Sequence, residues 1–381
     1  MAAYSSYHYT LEVLSPVFIG GVKENDYTLG EDYFYKDGNY SFFKKKEVLK
    51  LFTNLQFNNY TIALASADLQ SAAKIVSEVC LKHSEMVYKK LYCPFDLQDS
   101  IRKHVSSGLG QIYIPGSSIK GALRSIIGKL LMNETHQKEL SDKLFGSINN
   151  NFMRLLQVSD VEMNPEGGIY PFKTYSGDVE GALNSVGNQL EYYGMGMWKH
   201  AKNGGHGVDF NERGFVTFFE CLPPGSSGML RLNWADDLQK LIHSVGSAVH
   251  NQPYLKKLEG HKWMEVARKE MNVFIDREIN FYDKFYNKSF DDVFRLLDEL
   301  RNENNSPNAV VLRIGQGSGF HAITGNWHYS DHTQTQQAKD RNGNFIKAVK
   351  YKTRKMVFHE RDKEELEFFL PGFIKITIVN K

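Results

Sequence analysis

The chain has 381 residues, 41% of them hydrophobic and 24% charged, which are globular proportions and exclude a disordered or fibrous chain. That length exceeds one ordinary hydrophobic core and suits two domains. Lys plus Arg (46) barely exceeds Asp plus Glu (44), so the net charge of +2 supplies no global basic field and any nucleic-acid site has to be a local patch.

The opening MAAYSSYHYTLEV lacks the basic-then-apolar layout of a signal peptide. Within it Tyr7, Tyr9, Leu11 and Val13 alternate with His8, Thr10 and Glu12 in the period of a half-buried strand. Apolar residues then recur at helical spacing over 47–55 and 65–91, which predicts inserted helices before Ile114. The segment IPGSSIKGALR opens a further helix. Its stripe of Ile119, Leu123, Ile126, Ile127, Leu130 and Leu131 faces a sheet, while Lys120 and Arg124 point elsewhere. A second strand is predicted over 154–161, followed by a Gly- and Asn-bearing irregular connection to about Arg213. The runs 215–222 and 229–234, joined by PPGSSG, read as a hairpin. Helical periodicity follows over 236–249, 258–286 and 291–303, then a strand over 309–314. In a buried terminal strand over 373–379, Ile374, Ile376 and Ile378 alternate with Lys375 and Thr377. Strands and helices mix without a regular alternation, which predicts an α+β fold, divided into domains 1–212 and 213–381. No apolar run nears the roughly 20 residues of a membrane span, and Cys80, Cys93 and Cys221 form neither a zinc spacing nor an even disulfide set. A cytoplasmic protein without membrane contact is expected.

Three constellations could carry chemistry. In PGSSIKGALR a serine can cap the helix while first-turn N–H groups point outward, a site that favours anions. Lys120 and Arg124, four apart, share a face and can both reach a passing phosphate chain. Taken alone, the same letters are met more often by a capped surface helix with two solvated bases. A Walker A loop is excluded, because Ala122 and Leu123 stand where Lys and Ser/Thr are needed. In LRIGQGSGFH, Gly315, Gly317 and Gly319 follow a strand and precede Phe320 and His321. Their spacing is not the dinucleotide fingerprint, and a ligand loop and a glycine-rich hairpin or bulge both fit. In VKYKTRKMVF an extended chain puts Lys350, Lys352 and Arg354 on one face, as a phosphate-binding stripe or as the charged guard of an edge strand.

Other clusters point to blander roles. Lys44, Lys45 and Lys46 fit a solvated turn beside a helix. His328 and His332 have HxxxH spacing but neither the glutamate of a zinc protease nor a third ligand, so no metal or other cofactor is expected. Glu24, Asp26, Glu31 and Asp32 are better explained as solvent-facing turn residues than as a cation site.

The ordered set LEVLSPVFIGG, IPGSSIKGALRS, RIGQGSGFH, KTRKMV and LPGFIKI resembles the RAMP superfamily of CRISPR proteins. Within it the set is most similar to the family that supplies the fifth subunit of type III-A Csm complexes. The resemblance implies two ferredoxin-like, RRM-type domains with helical insertions. It also implies a non-catalytic subunit that binds the 3′ portion of CRISPR guide RNA, caps the backbone filament there, and aids RNA maturation and assembly in antiviral defence. Ser117, Ser118, Lys120, Arg124, Gly315, Gly317 and Gly319 would then contact RNA, with Lys350, Lys352 and Arg354 as a further basic stripe. The implied partners are CRISPR RNA, the backbone RAMP subunit and other effector subunits, with host nucleases left open. Gln316 stands where an aromatic is frequent in the family, and Phe373 where tryptophan is common. The backbone subunit cuts target RNA with an aspartate shortly before PGSS. Here a long insertion separates Asp26 and Asp32 from Ile114, so that route to catalysis is not expected. Two alternatives remain: a metal-independent endoribonuclease with a histidine base, and a protein-binding scaffold whose basic patches only solubilise it.

Overall fold

A computed structural model of the chain describes residues 4–21, 26–92, 99–135, 145–146, 151–163, 168–173, 216–235, 257–284, 291–319, 322, 338–339, 345–346, 356–362 and 365–379. In chain order the first elements are β1 (Tyr4–Val13), β2 (Tyr27–Thr28), β3 (Tyr33–Lys36), β4 (Asn39–Phe43), α1 (Lys45–Lys50), α2 (Asn54–Ala65), α3 (Leu69–Cys80), β5 (Val87–Tyr92) and β6 (Ser100–Arg102). There follow β7 (Tyr113–Ile114), α4 (Gly116–Thr135), β8 (Leu156–Val158), β9 (Val161–Glu162), β10 (Gly168–Lys173), β11 (Val216–Cys221) and β12 (Ser227–Ala235). The last are α5 (Trp263–Lys284), α6 (Asp291–Asn304), β13 (Ala309–Arg313), β14 (Ala338–Lys339), β15 (Phe345–Ile346), β16 (Met356–Asp362), β17 (Glu365–Phe369) and β18 (Phe373–Ile378).

The alternation expected at the N-terminus is present: Tyr9, Leu11 and Val13 are buried while His8 and Thr10 face solvent. β1 therefore occupies the centre of an antiparallel five-stranded sheet, ordered β13-β18-β1-β12-β8. The stripe of α4 packs on that sheet through Ile119, Leu123, Ile127, Leu130 and Leu131, beside Trp263, Met264 and Ala267 of α5. Each such side chain contributes on the order of 1.5–3 kcal/mol by leaving water, most of it offset by chain entropy. On β13, Val310 and Leu312 join this core, whereas Val311 joins a second one with Phe274 of α5 and Val293, Leu297 and Leu300 of α6. α5 lies where both cores meet β13.

A six-stranded sheet is ordered β17-β16-β10-β11-β6-β2, with β11 and β6 its parallel pair. The chain between β2 and β6 forms its own layer. There the meander β3-β4-β5 packs Tyr33, Tyr40 and Phe42 against Val48 of α1, Tyr60 of α2 and Val76 of α3.

Several expectations are corrected. The helix predicted over 65–91 stops at Cys80, because a turn at Ser84–Met86 converts the following residues to β5. The strand predicted over 154–161 is a short 3₁₀ turn (Phe152–Leu155) followed by β8 and β9, which join different sheets. The expected hairpin of 215–222 with 229–234 is absent: β11 and β12 also belong to different sheets. At PPGSSG the chain changes sheet alongside the end of β1. Val13 N–H donates to Ser226 O (2.8 Å), Gly225 N–H to Val13 O (2.8 Å), and Val17 pairs with Leu222. The central sheet draws strands from both sides of residue 212, since β1 pairs with both β12 and β18. The helix expected over 236–249 and the connection over 174–215 lie outside the described residues.

Candidate nucleic-acid interface

β7 pairs with β9 and delivers the chain through Pro115 into α4. A Cβ at Gly116 would collide with the Val158 and Ser159 carbonyls, so this glycine is demanded by the turn between β8 and β9. That turn also supplies a cap: Gly116 N–H donates to the Asp160 carboxylate at 2.7 Å, and Ser118 N–H donates to Pro115 O at 2.9 Å. The Gly116 N–H of the expected amide cradle is thus taken by the chain's own Asp160 carboxylate, which stands at the positive helix end. Beyond that end runs one side of α4.

That side carries the cations. Ser117 is exposed and Ser118 half-buried. Lys120 donates to the Leu156 carbonyl at 2.6 Å, and Arg124 lies 4.0 Å over the Phe145 ring and 3.5 Å from Asn151 Oδ1. Burial, and then the positive charge of Arg124, hold the Lys120 ammonium below the usual lysine value. An anion between the two would relieve both penalties. The pair thus leans along the segment 151–158. In that segment Arg154 is exposed, two residues before the carbonyl that Lys120 holds. Arg154 was not singled out from the sequence, because a lone cation in a turn carries no periodic signal.

The glycine loop after β13 is packed on the chain itself. Gly315, Gly317 and Gly319 all have positive φ (78°, 88° and 75°). Gln316 N–H donates to Phe18 O at 2.8 Å, and a Cβ on Gly315 would strike that same carbonyl. Ser318 closes the loop by donating to Gly315 O at 2.8 Å, leaving Gln316 exposed at its tip. The LPGF segment joins the arrangement: Gly372 N–H donates to Pro16 O at 2.9 Å, and Ile314 N–H to Gly372 O at 2.8 Å. VFIGG, GQGSG and LPGF are therefore one knot of backbone. A small cavity of about 50 Å³ brings α4 to it, lined by Ala122, Ser125 and Lys129 of α4, Leu312 and Arg313 of β13, and Ala322 beyond the loop. Phe320, His321, His328, His332 and the stripe Lys350, Lys352 and Arg354 lie outside the described residues.

Of the early carboxylates Glu24 lies outside the described residues, and the other three serve the fold. Asp26 pairs with Arg102 (2.7 Å) and accepts from Lys103 N–H, Asp32 accepts from Thr28 N–H (2.8 Å), and Glu31 pairs with Lys45 (2.5 Å). Glu220 on β11 is buried, paired with Lys89, and accepts from His104 N–H at 3.1 Å. His104 is 1% exposed, and burial holds its imidazole below the usual histidine value. It cannot reach a substrate. His261 hydrogen-bonds Tyr9 at 3.0 Å, and its value too is lowered by burial. Among the described residues no three His, Cys, Asp or Glu side chains are grouped to hold a metal, and no helix is long and apolar enough to cross a membrane.

The sequence profile of the RAMP superfamily matches residues 10–370. The chain belongs to the RAMP superfamily. No curated protein matches it. Among solved structures, its fold is similar to a chain of a Csm–crRNA–target RNA ternary complex from a type III-A CRISPR–Cas system. The TM-score is 0.62 at 16% identity, over 98% of this chain and 100% of that one. It is also similar to Csm5 of T. onnurineus, with a TM-score of 0.57 at 15% identity, over 81% of this chain and 90% of that one. These likenesses carry the fold, mixed α and β with antiparallel sheets, and agree with the resemblance drawn from the ordered motifs.

Proposed function

We propose that this chain is a non-catalytic subunit of a type III-A Csm complex that grips the 3′ portion of the guide RNA and caps the backbone filament there. The supporting observation is the end-to-end correspondence with a chain of a Csm–crRNA–target RNA complex, which leaves almost nothing over on either side. On this reading Lys120 and Arg124 hold phosphates from the side of α4, with Ser117 and Ser118 beside them, while the glycine loop offers backbone and Gln316. Phosphate contacts of this kind position RNA without reading its sequence. The order β18-β1-β12-β8, with α4 crossing from β1 to β8 and α5 and α6 crossing between β12 and β18, supports a βαββαβ ferredoxin-like unit, and the second unit of the family would build on the six-stranded sheet. The backbone RAMP subunit and other effector subunits are the partners.

The test is to express the chain with its genomic neighbours, purify the assembly and sequence the nuclease-protected RNA. A guide whose 3′ boundary shifts when this chain is omitted is the expected result; an unchanged boundary removes the capping role. Cleavage of a repeat RNA by the purified chain in EDTA, lost on substitution of one histidine, would favour the endoribonuclease instead.

A further inference from the structure

From Leu51 to Ala67 the sequence contains no Asp, Glu, Lys, Arg or His, in a chain that is 24% charged. This stretch forms α2 and its flanks. The helix start is fixed by a reciprocal cap, Gln56 N–H donating to Thr53 Oγ1 (3.2 Å) and Thr53 N–H to Gln56 Oε1 (3.0 Å). Tyr60 and Ala63 are buried in the insertion core. On the opposite face Leu55 and Ile62, two turns apart, are 70% and 66% exposed, with Asn58 and Asn59 exposed between them. Leu51, 38% exposed, stands just before the helix. A surface helix normally turns charged residues to water; this one turns aliphatic and amide side chains outward, the composition of a face that another protein covers.

We infer that the outward face of α2 docks an uncharged, aliphatic surface of another protein subunit in the same assembly. RNA does not fit, because no cation lies between Leu51 and Ala67 to meet a phosphate. A charged protein surface does not fit either, since its charges would be buried opposite side chains unable to neutralise them. Pairing with a second copy through this face alone is too small: a helix of 12 residues is about 18 Å long and about 10 Å wide, a strip of about 180 Å², well short of the roughly 800 Å² per partner that a stable specific interface buries. The occupant is therefore a chain that other contacts already hold alongside. This inference rests on the proposed membership of a type III-A complex.

The experiment places the photoreactive residue p-benzoylphenylalanine at Ile62 of the full chain, and separately at exposed Glu78 on α3, co-expressed with the other type III-A subunits and guide RNA. Irradiation is expected to link position 62 to one other protein subunit and position 78 to none. Linkage of position 62 to RNA, to a second copy, to the chain itself or to nothing overturns the inference. In parallel, L55E/I62E is expected to lower the fraction co-purifying with the assembly about tenfold or more, with the melting temperature and RNA affinity of the isolated chain unchanged. Undiminished co-purification of L55E/I62E also overturns it. If the wild-type chain does not co-purify at all, the proposed function falls, and this inference falls with it.

Discussion

At the start of α4, Gly116 is pressed against the Val158 and Ser159 carbonyls, and after β13, Gly315 is pressed against the Phe18 carbonyl. Both motifs invite the interpretation of a cradle for a ligand, and in both the glycine is required by the chain's own packing. They differ in what accompanies the glycine. α4 continues into Lys120 and Arg124 on one side of the helix, whereas the loop from Gly315 to Gly319 contains no charge and exposes Gln316. Glycine patterns here report where backbone meets backbone; the charges beside them report where a polyanion can sit.

The largest effects should separate the two glycines. Gly315→Ala forces an L-residue to φ near 78° and drives its Cβ into the Phe18 carbonyl, so we expect a loss of about 3 kcal/mol or more in denaturant unfolding. Gly116→Ala meets carbonyls without the positive-φ penalty and should cost about 2 kcal/mol. Near-zero values for both would mean that neither approach is as close as described. The charges are tested next. K120A/R124A should weaken binding of every RNA sequence alike and reduce the slope of log affinity against log salt by roughly 1.4, two phosphates at about 0.7 each for a single strand. Gln316→Ala should change affinity less than about threefold, and a larger effect there would move the interface to the loop.

A smaller effect comes from proton linkage at Lys120. Burial and Arg124 lower its value in the free protein, and phosphate binding favours the charged form. RNA affinity should therefore be full while the lysine is protonated and should fall as pH rises through the lowered value, at lower pH than an ordinary lysine would allow. Lys120→Arg stays charged throughout and should flatten that decline in a filter-binding titration. A decline of the same shape in the arginine variant would assign it to another group.

The elements that the sequence declares are those whose pattern is local. β1 and β18 show period-two alternation and α4 shows a helical stripe, and each appears within a few residues of its expected place. What the letters hide is partnership. PPGSSG marks a break, yet whether the chain reverses or changes sheet is decided by Val13 and Val17, more than 200 residues earlier, which bond Ser226 and Leu222. β5 was hidden for another reason: Val87 and Leu91 also fit a helical spacing, and only pairing with β4 makes them strand. The same limit applies at the candidate site. Lys120 and Arg124 were legible from their four-residue spacing, but the Asp160 carboxylate that takes the helix end lies 44 residues away and no motif announces it.

The smallest effect reaches the glycine loop without touching it. His104 pairs across to Gly20, beside the Phe18 carbonyl that accepts from Gln316 N–H. Its Nδ1 lies 2.9 Å from the Val105 carbonyl, and its buried Nε2 has no hydrogen-bond partner among the described residues. Burial lowers its folded value below the ordinary 6.5, so the unfolded chain takes up the proton first as pH falls. The stability contributed by the neutral ring is thus fully present above about 6.5 and is lost below it, at no more than about 1.4 kcal/mol per pH unit. His104→Phe removes the proton site and should make the acid side of the stability profile shallower. Because the ring packs edge-on against Phe18, whose carbonyl accepts from Gln316 N–H, acidification to pH 5.5 should lower the protection factor of the Gln316 amide more than those of amides in the middle of α4. Equal loss of protection at both would show that the histidine reports global unfolding instead of a local loosening of the loop.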